Sequence, residues 1–339
     1  LPFILDAFGA EGVPRAVATR YLWIVLPSNF IMAAGMALSG LLRAIGDARR
    51  AMMVTLIGGI ATAFLDPLFI FTFKFGTDGA AIVTIIARLI MLWIGLVGVI
   101  GHYQLLIRPT LADMRGHAGA LAQVAVPAVL TNVASPVAAG FVLTVVRQFG
   151  HEAVAANTII DRVVPLAFSV VFALSGSVGP ILAQNLGAGL HARVRSTLRD
   201  SLLFALVYCL IVWAVLAMGR DVIPAIFGAS ERTAEFIRFY CLIGVAAWIF
   251  NALLFVANAA FNNLGFPFYS MLFNWGRASL GTLPFALTGA HLGGYPGLCV
   301  GLIIGWGIFG IAAVLTAFRT IARLERQAAP GVSSGRGAG

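Results

Sequence analysis

One segment limits the possible folds of this chain more than any other: residues 51–73 contain a single charged residue, Asp66. About 20 apolar residues wound as an α-helix are long enough to cross a hydrocarbon layer of roughly 30 Å. Similar runs recur through the sequence, so that 60% of its 339 residues are hydrophobic and only 10% are charged. A soluble protein carries about 25% charged residues, because water has to solvate its surface. The sequence therefore predicts an all-α membrane protein with many transmembrane helices.

Apolar runs between polar breaks predict nine membrane-spanning helices. Basic residues concentrate in alternate gaps between these runs and at the C-terminal end. This pattern is typical of membrane topology and places the C-terminus in the cytoplasm. Because the basic residues lie between apolar runs, the net charge of +9 indicates a protein in a lipid bilayer and not a nucleic-acid-binding surface. The three cysteines lie in apolar runs without the spacing of a disulfide framework or a metal site. The spans are expected near 18–42, 51–73, 79–106, 118–148, 153–184, 199–219, 236–262, 267–290 and 294–318.

A faint internal repeat relates the two ends of the chain at a shift of about 219 residues, which places Gly46 on Gly265 and Met52 on Met271. Matched halves recur in secondary transporters. Residues 118–218 lack a counterpart, which at this shift would lie before residue 1. We therefore expect a parent of twelve helices in two six-helix lobes, without its first three helices here. Further matches place Phe8-Gly9-Ala10 on Phe227-Gly228-Ala229, Tyr21 on Tyr240, Ile24 on Ile243 and, after a one-residue gap, Gly79 on Gly297.

The expected domain organisation follows from this repeat. Residues 1–106 form the C-terminal half of the N-lobe with three helices, and residues 107–118 form the linker between lobes. Residues 119–325 form a C-lobe of six helices. Residues 326–339 are rich in Gly and Ser and are expected to be a disordered tail.

Three stretches give the chain a family resemblance. Residues 41–49 (LLRAIGDAR) are similar to an "LRGxGDxR" turn, with Arg43, Gly46 and Asp47 at its motif positions. Residues 184–189 (QNLGAG) match a "GQNLGAG" turn through Gln184, Asn185 and Gly187, although Ala183 replaces its first glycine; residues 65–68 (LDPL) and 78–84 (DGAAIVT) match two further helices. Together they resemble the multidrug and toxic compound extrusion (MATE) family, in particular its bacterial DinF-like and NorM-like members. The resemblance implies a MATE-like bundle of twelve helices in two pseudo-symmetric lobes. It also implies antiport of amphipathic, often cationic drugs against protons or sodium ions.

Asp66 is the strongest candidate for ion coupling. A carboxylate inside a membrane is costly unless it is paired, hydrated or protonated, and such residues often mark ion paths. The alternative is a structural aspartate that caps a helix break at Asp66-Pro67. The resemblance implies the coupling role and adds Thr84, which matches a threonine lining the same site. The alternative for Thr84 is a hydroxyl that bonds back to its own helix. Thr62 lies one turn before Asp66, where proton-coupled relatives commonly have asparagine.

The second lobe contributes neutral oxygens and few charges. The predicted spans 118–148 and 236–262, the seventh and tenth of the parent, contain no carboxylate, whereas sodium-coupled relatives can carry acidic residues there. Protons are therefore favoured over sodium as the coupling ion. Arg88 and Arg277 lie inside spans and need partners. Residues that could line a cavity are Asp161, Arg162, Asn132 and Asn258. For Asp161 and Arg162, structural pairing with residues of other helices is an equal alternative.

The favoured function is export of drugs or metabolites, mainly organic cations, across the inner (plasma) membrane by a monomeric antiporter. Apart from H⁺ or Na⁺ as coupling ion, no cofactor and no metal are expected. A lipid-linked oligosaccharide flippase of related fold is an alternative. A membrane-embedded enzyme is a remote alternative, because the sequence has no HExxH helix, paired carboxylates or Ser/His pair in a recognisable pattern.

Overall fold

The computed structural model describes residues 12–105 and 110–328, and every regular element in these ranges is a helix. The predicted all-α class is therefore confirmed. The chain divides into two compact units, Leu1–Thr110 and Leu111–Gly339. This division falls in the linker predicted at 107–118, of which residues 107–109 lie outside the described ranges; from Leu111 onward the chain is helical. Of the predicted tail, residues 326–328 end the last helix and residues 329–339 lie outside the described ranges.

The described part of the first unit contains four helices, of which α4 packs against the other three. Its buried apolar core is small and consists of Leu42, Ala51, Val54 and Val99. Large apolar side chains such as Phe30 and Phe64 are instead 83% and 77% exposed, as expected where lipid replaces water around the protein. The helices are α1 (Gly12–Val25), α2 (Asn29–Ala44), α3 (Ala48–Pro67) and α4 (Gly76–Leu96), with π-helical turns Leu68–Thr72 and Val97–His102 extending α3 and α4.

Up to residue 328, the second unit contains nine helices, and α11 lies at its centre because it packs against α7, α8, α12 and α13. Breaks at Phe168 and at Ile243 interrupt what the sequence predicted as the continuous spans 153–184 and 236–262. The helices are α5 (Leu111–Val146), α6 (His151–Ala167), α7 (Ser169–Gly187), α8 (His191–Met218), α9 (Val222–Ile226), α10 (Glu231–Leu242), α11 (Ala247–Asn263), α12 (Pro267–Ala278) and α13 (Leu283–Ala328).

The long helix α13 turns back on itself. Gly293 and Gly294 have non-helical backbone angles, and Gly294 has a φ of 62°, which glycine adopts without steric cost. The two arms before and after this break contact each other at positions spaced four residues apart on each arm. A position further from the break on one arm contacts a position further from the break on the other arm. The arms therefore run antiparallel as a helical hairpin in which the backbones approach closely. The touching pairs are Gly289 with Gly297, Phe285 with Gly301 and Gly281 with Gly305.

This hairpin explains the number of membrane spans. The described residues contain seven stretches long and apolar enough to cross a membrane, and eight if α1 and α2, which are bent by 46°, form one span. One of these stretches, Pro267–Ala328, has 62 residues. A straight helix of that length would measure about 93 Å, three times the hydrocarbon thickness. Counting the two arms of the hairpin as separate spans gives the nine that the sequence predicted.

The repeat predicted from the sequence has structural counterparts. Shifted by 219 residues, α1 (Gly12–Val25) would begin where α10 (Glu231–Leu242) begins, and α3 would begin where α12 begins. The turns before α3 and α12 both contain a left-handed glycine, Gly46 with φ 92° and Gly265 with φ 91°. A side-chain hydroxyl also forms a hydrogen bond between the two helices that each turn connects. Ser39 donates to the Ala51 carbonyl at 3.0 Å, and Ser270 donates to the Asn258 carbonyl at 3.2 Å, with donor and acceptor exchanged between the two crossings. The matched Phe8-Gly9-Ala10 lies outside the described residues.

Candidate transport site

Asp66 lies at the end of α3, where the regular helix gives way to a π-helical turn. Pro67 has no N–H, so it cannot donate to the carbonyl of Ala63. The chain continues with an i to i−5 bond from the Phe73 N–H to the Leu68 carbonyl (2.9 Å). Such π-turns leave backbone carbonyls without their regular partners and are frequent at functional sites. Asp66 is partly exposed, and among the described residues its carboxylate has no hydrogen-bond or ion-pair partner.

The two threonines of the predicted coupling site both bond to their own helices. Thr62 donates to the Gly58 carbonyl at 3.0 Å, and Thr84 donates to the Ala80 carbonyl at 2.8 Å. This back-bonding satisfies each hydroxyl proton and leaves the oxygen lone pairs free to accept. Because α3 and α4 pack together, the two hydroxyls and Asp66 belong to one helix pair. No hydrogen bond joins Asp66 to either threonine within the described residues, so their joint coupling role stays a prediction.

Arg88 finds its partners at the bend between α1 and α2. Its guanidinium donates to the Val25 carbonyl at 2.9 Å and also to the Ser28 hydroxyl, which itself donates to the Val25 carbonyl at 2.8 Å. The last carbonyls of a helix lack intrahelical partners, and a cation there is favourable. Arg88 lies one turn after Thr84 on α4, so the side of α4 that carries the threonine is also tied to this bend.

Asp47 stabilises the turn before α3. Its carboxylate caps the helix by accepting from the Arg50 N–H at 2.9 Å, and it also accepts from the Arg50 guanidinium at 2.6 Å and the Tyr103 hydroxyl at 2.9 Å. These bonds, first of all the one from the Arg50 N–H, lower the pKa of Asp47, and its carboxylate in turn raises the pKa of Tyr103. Of the two charged motif residues of this turn, Asp47 pairs with Arg50, and Arg43 forms no ion pair within the described residues.

Replacing Asp47 with alanine is expected to lower the melting temperature of the purified protein by a few degrees at pH 7, because the helix loses its N-terminal cap. Since the folded pKa lies below the unfolded one, the stabilisation is complete above about pH 4 and is lost as the pH falls through the folded pKa. Melting curves of both proteins at pH 7 and pH 3 check this, with Asp200→Ala as a control at an exposed aspartate. An equal difference at both pH values would contradict the assignment.

The second turn motif lies at the end of α7. Asn185 donates to the Ile181 carbonyl of its own helix at 2.8 Å, and Gln184 is exposed. Gly187 ends the helix, and Gly189 adopts a left-handed φ of 71°. The motif therefore forms a turn that ends the helix, and glycine is favoured at its left-handed position.

A cavity of about 300 Å³ lies within the second unit. Of the four residues proposed from the sequence, Asp161 lines it, whereas Arg162, Asn132 and Asn258 are not among its lining residues. Asn132 is exposed and donates to the Ala128 carbonyl of its own helix at 2.8 Å, and Asn258 is buried in α11. Arg162 is exposed beside Asp161 without forming an ion pair with it.

Two lining residues that the sequence did not connect are Arg277 and Trp306. The Arg277 guanidinium lies over the Trp306 ring at 4.8 Å from its centroid, in cation–π geometry. The only signal in the sequence was a positive charge at position 277 inside an apolar run. Its aromatic partner lies 29 positions further on, and the helical hairpin alone brings the two together.

This architecture permits a decisive comparison. A family model described as MatE matches residues 1–68 and 127–288. The chain belongs to the MATE family. The family membership that the turn motifs predicted is thereby confirmed.

Relatives and solved structures agree with this MATE assignment. The chain is 32% identical over 284 residues to the FAD transporter of Shewanella oneidensis, an alignment that covers 82% of this chain and 63% of that protein. It is 24% identical over 343 residues to the multidrug export protein MepA of Staphylococcus aureus, covering 94% and 71%. The structure superposes on a variant of the MATE transporter VcmN of Vibrio cholerae with a TM-score of 0.88 and 25% identity, covering 95% of this chain and 74% of VcmN. The predicted MATE-like fold is confirmed, and the chain spans just under two thirds of the FAD transporter's length.

Proposed function

We propose that this MATE protein works as an ion-coupled antiporter, driven by protons in preference to sodium, that exports amphipathic drugs or metabolites, organic cations among them, across the plasma membrane. The observation that carries the proposal is Asp66, a carboxylate in a membrane-spanning helix without a counter-ion among the described residues. Lone carboxylates inside membrane spans often mark the paths of ions and protons. The relative MepA is also a multidrug export protein.

Protons are preferred over sodium because of the ligands available. A sodium ion needs several oxygen ligands that converge on it, and no hydrogen bond within the described residues brings the Asp66 carboxylate together with the hydroxyls of Thr62 and Thr84. In the second unit, residues 118–146 of α5 and all of α11 contain no acidic residue. One proton on Asp66 requires no such set of ligands.

Dye efflux from cells that express the full-length protein tests this proposal. Ethidium efflux is expected to stop when a protonophore collapses the proton gradient and to continue in sodium-free medium. Loss of efflux in sodium-free medium alone would assign the coupling to sodium. A well-expressed protein without efflux of any dye would contradict multidrug export and favour a narrow substrate or a lipid-linked flippase.

A second candidate substrate is a flavin nucleotide. The relative from Shewanella oneidensis is a FAD transporter at 32% identity, and the cavity of the second unit contains a cation, Arg277, next to the indole ring of Trp306. A phosphate on the guanidinium and a flat ring on an aromatic wall are the contacts that such a substrate would make. Chromatography of culture medium distinguishes the candidates, because a flavin exporter raises extracellular FAD when expressed and an unrelated drug exporter does not.

The orientation proposed with this function puts the C-terminus in the cytoplasm. It rests on the excess of arginines in one alternate set of loops, which includes the turn that Asp47 caps. In this orientation the turns before α3 and after α7 face the cytoplasm, and Asp66 lies towards the outer end of α3.

A further inference from the structure

The cavity of the second unit contains two opposite charges that do not pair with each other. Its lining comes from α5, α6, α7, α10, α11, α12 and α13, and among the described residues that line it only Asp161 on α6 and Arg277 on α12 are formally charged. Ion pairing inside a membrane is the ordinary way to lower the cost of a charge. No ion pair joins Asp161 and Arg277, and within the described part of the chain neither has another ionic partner. The cavity therefore contains a carboxylate and a guanidinium that do not pair with each other.

Arg277 is poorly satisfied for a buried cation. It is 4% exposed, and one of its N–H groups donates to the Ser135 hydroxyl at 3.2 Å. Its Nε is buried and has no hydrogen-bond partner. A guanidinium offers five N–H donors in a planar fork that matches a carboxylate, and a buried charge without a partner is costly. The side chain is thus prepared to receive an anionic group.

Asp161 supplies the complementary charge. Its carboxylate accepts one hydrogen bond, from the Asn157 side chain at 2.9 Å, which leaves most of its acceptor capacity unused. Asn157 also lines the cavity, so an amide and a carboxylate stand side by side on α6. Together they form a polar patch that suits an ammonium group, which donates in three directions.

Aromatic rings form the wall of the cavity. Trp248 and Trp306 meet edge to face with centroids 6.3 Å apart, and Phe168 stacks behind Trp248 at 5.1 Å. Both indole N–H groups are engaged, since Trp248 donates to the Tyr240 hydroxyl and Trp306 to the Thr282 hydroxyl, each at 3.1 Å. These bonds fix the rings in place before any ligand arrives, which lowers the entropic cost of binding. A flat ring therefore meets a preformed aromatic surface.

We propose that this cavity is a binding site for a planar aromatic zwitterion, whose carboxylate pairs with Arg277 and whose ammonium group pairs with Asp161. The proposal rests on the export function and names the class of substrate. A ligand with one charge would account for Asp161 or for Arg277, but not for both. The volume of about 300 Å³ is at the lower end of small-molecule sites, which suits one fused ring system with short polar arms. A purely cationic ligand would leave Arg277 unpaired, and a purely anionic one would leave Asp161 unpaired.

Three indole compounds of similar size provide the test on the purified full-length protein. L-Tryptophan carries both charges, tryptamine only the cation and indole-3-propionate only the anion. Calorimetric titration is expected to show L-tryptophan binding at least about tenfold more tightly than either analogue, since one charge-assisted hydrogen bond contributes about that factor. Equal affinities, tightest binding of tryptamine, or no binding of any of the three would overturn the proposal.

Variants assign the two charges. Arg277→Gln is expected to weaken L-tryptophan binding to the level of tryptamine while leaving tryptamine unchanged, and Asp161→Asn to weaken it to the level of indole-3-propionate. Arg162→Gln is the matched control, because Arg162 is next to Asp161 in the sequence but does not line the cavity. Melting curves identify a variant that has lost its fold. Arg277→Lys keeps the charge without the planar fork and is expected to retain part of the preference for the zwitterion.

Binding in detergent requires no ion gradient, so this proposal and the export function can fail separately. Dye efflux without any preference among the indole compounds would overturn the zwitterion site alone. Preferential binding of L-tryptophan by a protein that exports nothing would support the site and contradict the antiporter.

Discussion

Replacing Asp66 with asparagine is expected to reduce gradient-driven efflux to the level of cells without the protein. The amide has nearly the same shape as the carboxyl group but cannot ionise, so the variant has no proton to exchange at this position. Its fold is expected to persist, because no hydrogen bond or ion pair of Asp66 within the described residues is lost and removing a charge from a membrane helix lowers the cost of burial. Membrane yield and a melting curve measure the fold, and dye efflux measures the coupling.

Asp78→Asn is a matched control in the same unit. Asp78 lies in the first turn of α4, where it pairs with the exposed Arg20, and a small effect on stability is all that this pair predicts. Substrate exchange in liposomes without any ion gradient separates coupling from binding. The Asp66→Asn variant should keep this exchange if it has lost only the driving ion. Normal gradient-driven efflux by Asp66→Asn would refute the coupling role.

The sequence predicted the membrane class and the spans well because transmembrane helices differ so strongly in composition from their connecting loops. It did not predict the breaks at Phe168 and Ile243, where apolar residues continue on both sides of the interruption. Nor could it show that residues 111–118 already belong to α5. A helix embedded in lipid and protein can be apolar on every side, so no periodicity marks where it bends or which face points inward.

The candidate site was partly predictable for the same reason. Asp66 is conspicuous as a lone carboxylate in an apolar run, and the family turns are recognisable from local motifs. Asn132, by contrast, was proposed for a cavity from which the structure keeps it apart, because its orientation on α5 depends on packing. The pairing of Arg277 with Trp306 and of Asp47 with Tyr103 joins residues 29 and 56 positions apart. Such contacts arise from helix crossings that no local pattern encodes.

The glycine hairpin of α13 provides the largest expected effect on stability. At Gly305 a β-carbon would collide with the backbone carbonyl of Gly281 on the facing arm, and a backbone atom cannot rotate out of the way as a side chain can. Gly305→Ala should therefore force the arms apart and disturb the pairing of Arg277 with Trp306, which lies directly beside this contact. Overpacking of this kind costs about 1–3 kcal/mol, and more where backbone is the obstacle. Unfolding of the purified protein in detergent with increasing denaturant measures the loss.

Gly307 offers a control two positions away on the same arm. There a β-carbon would meet only the ring of Phe250 at 3.5 Å, an ordinary van der Waals contact. Gly307→Ala is accordingly expected to leave stability within about 0.5 kcal/mol of wild type or to raise it, since alanine favours the helical state over glycine. Equal destabilisation by both variants would show that the arm tolerates no added methyl group anywhere. Equal tolerance would show that the two arms are not in backbone contact, and the close antiparallel hairpin would then be the wrong description of residues 281–305.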